Sequence, residues 1–143
     1  MSIDALVRFY ETLSPADVAR FPEFYAENAW FKDPFNEVSG VHAIQSIFGH
    51  MFRQVSNPFF VIGERIVDKH GAMLVWTFHF GLRPWCSEPL VIRGVSHLKF
   101  DPDGKVNYHR DYWDTAEELY TKLPGIGLLM RSLSKALGSG NAG

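Results

Sequence analysis

His109 and Asp111 stand two residues apart in a strand-forming run from Val106 to Trp113. Strand alternation puts both on one face with Trp113, and turns Tyr108, Arg110 and Tyr112 to the other. A carboxylate in the wall of an apolar hollow has its charged form penalised, which moves it toward the working range of a general base. A histidine beside it can orient it or relay its proton. The plainer alternative is a buried carboxylate tied to His109, or to the surroundings of Asp33, for structure alone. Asp33 precedes Pro34 and serves either as a second pocket acid or as the closure of an Asx-type turn. Asp114 reads as a helix N-cap. His42, His50, His70, His79 and His97 show no ligand spacing, so no metal site is expected.

The chain that must position these residues has 143 amino acids, the size of one domain. Its 14 basic and 16 acidic residues leave a net charge of −2, and the isoelectric point is near 6.3. With no basic run, a nucleic-acid partner is not expected. Hydrophobic residues at 46% and aromatics at 15% argue against disorder and for a large buried area. The single cysteine, Cys86, forms no internal bridge. The N-terminal residues read as no secretory signal, and no apolar run reaches the ~18 residues of a membrane span. A cytoplasmic protein without stable membrane insertion is the expectation.

Apolar periodicity and caps predict helices from Ser2, from Ser14-Pro15 and from Gly40, the last ending at Asn57-Pro58. Pro22 is expected to break or kink the second. Residues Asn28 to Phe35 look extended. Four β-rich runs follow, Phe59 to Val67, Met73 to Leu82, Leu90 to Phe100 and Val106 to Trp113, joined by turn chemistry such as Asp101-Pro102-Asp103-Gly104. Short turns imply an antiparallel meander. Asp114-Thr115-Ala116-Glu117 opens a C-terminal helix, interrupted at Pro124-Gly125 and resumed as an amphipathic stripe from Ile126 to Leu137. That stripe could cap a pocket, extend a dimer contact or lie on a membrane surface; capping or packing is the plainer reading. Residues 1–137 read as one α+β domain, with a curved antiparallel sheet wrapped into a cone around N-terminal helices, and residues 138–143 as a flexible tail.

Three segments carry a resemblance to a known family. They are Trp30-Phe31-Lys32-Asp33-Pro34 followed by Gly40, Gly94-Val95-Ser96-His97-Leu98-Lys99-Phe100, and Tyr108-His109-Arg110-Asp111-Tyr112-Trp113-Asp114. Together with the element order they resemble the nuclear transport factor 2-like superfamily, with its cystatin-like α+β barrel. Within it the SnoaL-like group looks nearest, which holds ketosteroid isomerases, limonene epoxide hydrolases and polyketide cyclases.

The resemblance matches Asp33 to the isomerase base, and Phe9, Ser96 and Phe48 to positions where isomerases keep polar groups. The donor pair of the isomerase oxyanion hole is therefore missing. It matches Asp111 to the base of the hydrolases and cyclases, although the Asp-Arg-Asp arrangement of the epoxide hydrolases is absent. It places the pocket on the face bearing Asp111, with Phe9, Phe48, Trp76, Phe78, Phe80, Ser96, Leu98 and Trp113 expected to bind substrate. The resemblance further implies a homodimer, whose second copy would cover the sheet's outer face.

These readings converge on a cofactor-independent enzyme for a small hydrophobic molecule, of isomerase, cyclase or hydrolase type, with Asp111 as base and His109 and Asp33 assisting. The alternatives are a non-catalytic binding protein for a similar ligand, and a module that binds a peptide at the open end of the cone.

Overall fold

A computed structural model describes residues 2–82, 87–122 and 125. Helix α1 (Ile3–Glu11) starts where the Ser2 hydroxyl accepts from the Ala5 N–H at 3.1 Å, and it buries Leu6, Val7, Phe9 and Tyr10. The segment expected as a second helix is a 3-10 helix, Pro15–Arg20, followed by one α turn, α2 (Phe21–Phe24). The Asp17 carboxylate accepts from the backbone N–H of Ser14 at 2.9 Å and from its hydroxyl at 2.7 Å. Strand β1 (Tyr25–Lys32) begins three residues before the expected extended run, and β2 (Glu37–Ser39) follows a short loop. Gly40, at φ +102°, lets the chain turn into α3 (Val41–Gln54).

Strand β3 (Ser56–Asp68) starts directly through Asn57-Pro58, with Asn57 at φ +49° and a register shift between Ser56 and Phe59. The proline is thus accommodated at an irregularity on an edge strand. Then come β4 (Gly71–Gly81), β5 (Leu90–Phe100), β6 (Val106–Tyr112) and the single turn α4 (Thr115–Glu118), capped by Asp114 accepting from Glu117 N–H at 3.0 Å.

The sheet runs β2-β1-β6-β5-β4-β3. Strands β3 to β6 form the expected antiparallel meander. The sheet as a whole is mixed rather than antiparallel, because β1 lies parallel to β6, with Phe31 opposite His109. It is curved but not closed into a barrel, since β2 and β3 remain edges. This is the α+β cone expected from the sequence, left open.

The strands alternate as expected. On β4 and β5 the even-numbered Leu74, Trp76, Phe80, Ile92, Ser96 and Leu98 are buried, and on β6 so is His109. Two clusters result. One fills the space beneath the helices, with Phe21, Phe48 and Ile44 against Phe31, Leu74 and Leu98. The other groups Trp76, Phe80, Leu90 and Ile92 with Phe78, Leu82, Trp113 and Leu119, and Phe60 and Ile62 of β3 join the two. A Cβ at Gly94 would overlap the Trp76 indole, so glycine is what allows that ring to lie across β5. Beside them, α4 meets the half of β5 that β6 does not reach. Glu118 accepts from the Arg93 backbone N–H at 3.0 Å, and Lys122 donates to the Val91 carbonyl at 2.8 Å.

The expected C-terminal helix stops at Glu118 and gives way to a 3-10 turn, Tyr120–Lys122, while Cys86, the stripe Ile126–Leu137 and the tail 138–143 lie outside the described residues. Among the described residues no helix is long and apolar enough to cross a membrane.

Candidate functional site

Strand β6 carries His109 and Asp111 on its inner face, and the two side chains meet. His109 Nε2 lies 2.6 Å from Asp111 Oδ1. The same oxygen accepts from the Ser96 hydroxyl of β5 at 2.5 Å, across the pair Ser96–Asp111 of the ladder. Ser96 Oγ in turn accepts from Trp76 Nε1 at 2.8 Å. On the far side, His109 Nδ1 lies 2.7 Å from the Tyr25 hydroxyl, which lies 2.6 Å from the Tyr10 hydroxyl. Six residues from α1, β1, β4, β5 and β6 thus form one buried chain of hydrogen bonds.

One sense satisfies every donor of the chain from its own members. A carboxylate only accepts, so the His109 proton facing it belongs on Nε2. A neutral ring then accepts at Nδ1 from Tyr25, whose oxygen accepts from Tyr10. Burial pushes the Tyr10 phenol far above its ordinary range; the Tyr25 hydrogen bond opposes this and the Asp111 charge adds to it. Burial likewise raises Tyr25, reinforced by Tyr10 and Asp111. Both phenols therefore keep their protons as donors. The reversed sense, with a doubly protonated imidazole, would leave the Tyr10 proton without a side-chain acceptor among the described residues, to be met only by a water in the small void that Tyr10 borders. No buried side-chain nitrogen or oxygen among them lacks a partner.

Asp111 sits where this chain reaches a hollow. Its side chain keeps 16% of its surface, against 4% for His109. Both of these bonds go to Oδ1, and among the described residues Oδ2 takes none. The hollow has a volume of about 330 Å³, at the lower end for a small-molecule site. It lies between α3, the loop Asp33–Asn36 and the inner faces of β3 to β6. Its described wall holds six phenylalanines and two tryptophans, with Asp33, Asn36, His50, Gln54 and Asp111 as its polar members. Phe60, Phe78 and Phe80 stack in series at centroid distances of 4.5 and 5.0 Å, and Trp76 stands edge-on to Phe60. A second void of about 20 Å³, room for roughly one water, lies behind, bounded by Tyr10, Ser96, His109 and Asp111 among others.

Of the residues singled out from the sequence, Asp111, Asp33, Phe48, Trp76, Phe78, Phe80 and Trp113 line the hollow. Ser96 and His109 lie one layer behind, on the small void. Phe9 and Leu98 do not line either space. Phe9 packs in the helical core, stacked 4.2 Å from Phe24, because α1 turns Tyr10 toward the sheet in its place. Leu98 is fully buried beneath the helices.

Asp33 is largely committed to its own loop. Its Oδ1 accepts from the N–H groups of Phe35 at 2.8 Å and Asn36 at 2.7 Å, and from the Asn36 amide at 3.1 Å. Tyr10, Tyr25, Phe60 and Met51 were not among the site residues expected from the sequence; Tyr10 and Met51 fall on the apolar periodicities of α1 and α3. The signal available was a hydroxyl on an otherwise apolar face. No group of three or more metal-ligating side chains occurs among the described residues.

A family model described as the SnoaL-like domain matches residues 6–109. The chain belongs to the SnoaL-like family. Its fold recurs in solved structures of that kind. A putative SnoaL-like polyketide cyclase from Jannaschia is 12% identical with a TM-score of 0.72, over 86% of this chain and 91% of that one. A protein with a ketosteroid isomerase-like fold from Catenulispora acidiphila, in complex with trimethylamine, is 11% identical with a TM-score of 0.71, over 84% and 89%. An epoxide hydrolase of the LEH-like type from M. tuberculosis is 16% identical with a TM-score of 0.69, over 92% and 91%. At such identities the likeness is one of fold, and this SnoaL-like fold hosts several chemistries. A search of curated proteins found no match.

Proposed function

We propose that this SnoaL-like protein is a cofactor-independent enzyme that takes a proton from a small hydrophobic substrate, or from a water attacking it, with Asp111 as general base. The observation that supports this reading is the asymmetry of the Asp111 carboxylate. Oδ1 is fixed by His109 and Ser96, Oδ2 takes no hydrogen bond among the described residues, and the residue borders the aromatic hollow. A base so held needs little reorganisation to meet a substrate proton. His109 acts as the positioning residue, and Tyr25 and Tyr10 hold its ring. Asp33 borders the same hollow and shapes its entrance loop. Isomerase, cyclase and hydrolase chemistry all fit this arrangement.

The experiment is turnover by the wild type and by Asp111→Asn on lipophilic epoxides, β,γ-enones and β-keto esters, followed by mass spectrometry. Loss of turnover with ligand binding retained is the expected result. Unchanged turnover in Asp111→Asn would remove Asp111 as base.

The second reading is a non-catalytic binder of an apolar ligand, which the saturation of Asp33 by its own loop favours. Ligand bound in the hollow with no turnover in the wild type selects it. We also propose that a second copy covers the outer face of the sheet, where Phe59, Val61, Val91 and Tyr112 are exposed. A monomer by light scattering at micromolar concentration would argue against that. A cytoplasmic setting fits both readings.

A further inference from the structure

We propose that the hollow selects a lipophilic cation, a tertiary or quaternary ammonium centre on an apolar body, over a neutral molecule of the same shape. This rests on the reading of the hollow as a ligand site and names the class of ligand it takes.

The charge around Asp111 is unbalanced. The six-membered hydrogen-bonded chain contains one formal charge, and its other members (Tyr10, Tyr25, His109, Ser96 and Trp76) are neutral in the arrangement that satisfies every donor. They orient the carboxylate without cancelling it. A largely buried charge is ordinarily paired with an opposite one. Among the described residues no lysine or arginine lines the hollow or bonds to Asp111. The missing partner can therefore come with the ligand.

The rest of the wall has the same sign. The other acid, Asp33, has its Oδ1 turned into its loop, and the one further ionisable lining group is His50. Eight aromatic rings line the hollow, and a ring face turned to it attracts a desolvated cation through its negative quadrupole. They also supply the apolar contact that an alkylated ammonium needs and a hydrated metal ion cannot use. An anionic ligand in the hollow meets Asp111 with no lysine or arginine among the described lining residues, while Lys32 and Arg110 stand with Asp33 and Asp111 around a separate cavity.

The test uses benzyltrimethylammonium, its neutral isostere neopentylbenzene, and phenylacetate, titrated into the full chain by calorimetry with tryptophan fluorescence as a second readout. Trp76 and Trp113 report from the wall. The expected result is a dissociation constant about tenfold lower for the cation than for the neutral isostere, with phenylacetate weakest. Asp111→Asn, shown folded by circular dichroism, should bring cation and isostere to within about twofold, and Asp111→Glu should restore part of the preference. Equal or tighter binding of neopentylbenzene to the wild type overturns the proposal while leaving the ligand site intact. Failure of all three probes to bind at millimolar concentration overturns the ligand site itself, and the proposal with it.

Discussion

The Tyr25 hydroxyl stands between His109 Nδ1 and the Tyr10 hydroxyl, at 2.7 and 2.6 Å, and the sense that satisfies every donor makes it donor to the first and acceptor from the second. Removing it strands groups on both sides. Tyr25→Phe leaves a buried imidazole nitrogen without a donor and a buried phenol without an acceptor. Tyr10→Phe leaves only one lone pair of Tyr25 unmet. Tyr25→Phe should therefore lose roughly 2–4 kcal/mol of stability and Tyr10→Phe about 1 kcal/mol. The double variant should cost less than the sum, since the two share one bond. Urea melts of the three proteins decide it, and equal losses for the single variants would contradict the stated sense of the chain.

The same two phenols set an alkaline limit. Both are raised from an ordinary value of 10.0. A group raised in the fold contributes its stability in full below its unfolded value and loses it as pH climbs beyond. Stability should thus fall from about pH 10 upward, as the unfolded chain releases protons that the folded one keeps. Absorbance at 295 nm should show two tyrosines titrating only together with unfolding. In Tyr10→Phe/Tyr25→Phe the alkaline loss should be shallower.

Gly94 is a stability and a geometry prediction together. In Gly94→Ala the new methyl collides with the Trp76 indole, which must move and release Ser96. The cost should be about 1–3 kcal/mol. Trp76 fluorescence should shift, and any activity that depends on the Ser96–Asp111 contact should fall with it. An unshifted spectrum would mean the ring lies elsewhere.

Asp33 separates turn from catalysis. Asp33→Asn keeps an oxygen for the Phe35 and Asn36 amides, whereas Asp33→Ala removes it and should cost about 1 kcal/mol. If Asp33 is mainly a turn residue, Asp33→Asn should retain most of the wild-type turnover measured on the substrate panel. A loss as large as that of Asp111→Asn would instead make it a second catalytic acid.

Glu118 gives the acid side. Burial by itself would raise its carboxyl, but the Arg93 side-chain and backbone hydrogen bonds outweigh this, and the net shift is downward from 4.5. A depressed carboxyl contributes stability above its unfolded value and loses it as pH falls through the folded one. Part of the wild-type loss below about pH 4.5 should therefore be missing in Glu118→Gln, as read by thermal melts between pH 3 and 6.

What the sequence disclosed followed from local periodicity. The period of two along Leu74 to Phe80 and Leu90 to Leu98 assigned the inner face correctly, and with it Trp76, Phe78, Phe80 and Asp111 as neighbours of a common space. The parallel pairing of β1 with β6 was not legible, because it joins Phe31 to His109 across the whole meander and leaves no local mark. The register of α1 was the other gap. The 3.6 period places Tyr10 on the apolar stripe of α1, whereas Phe9 is matched to the pocket by the resemblance alone, and the contact of Tyr10 with the Tyr25 hydroxyl, fifteen residues away, shows which of them faces the sheet. Asn57-Pro58 read as an end of structure because turn chemistry is local, while the edge position that tolerates it is tertiary.

The contact between α4 and β5 has a consequence outside the hollow. Where β6 stops, the N–H of Arg93 and the carbonyl of Val91 would face an incoming chain as a ready template, and Glu118 and Lys122 occupy both. These two side chains stand in for a missing strand. Since Leu119, the next residue after α4, lines the hollow, peeling this turn away would uncover an adhesive edge and open the ligand chamber in the same motion. Variants selected for a roomier chamber at this corner would be expected to self-associate by strand addition.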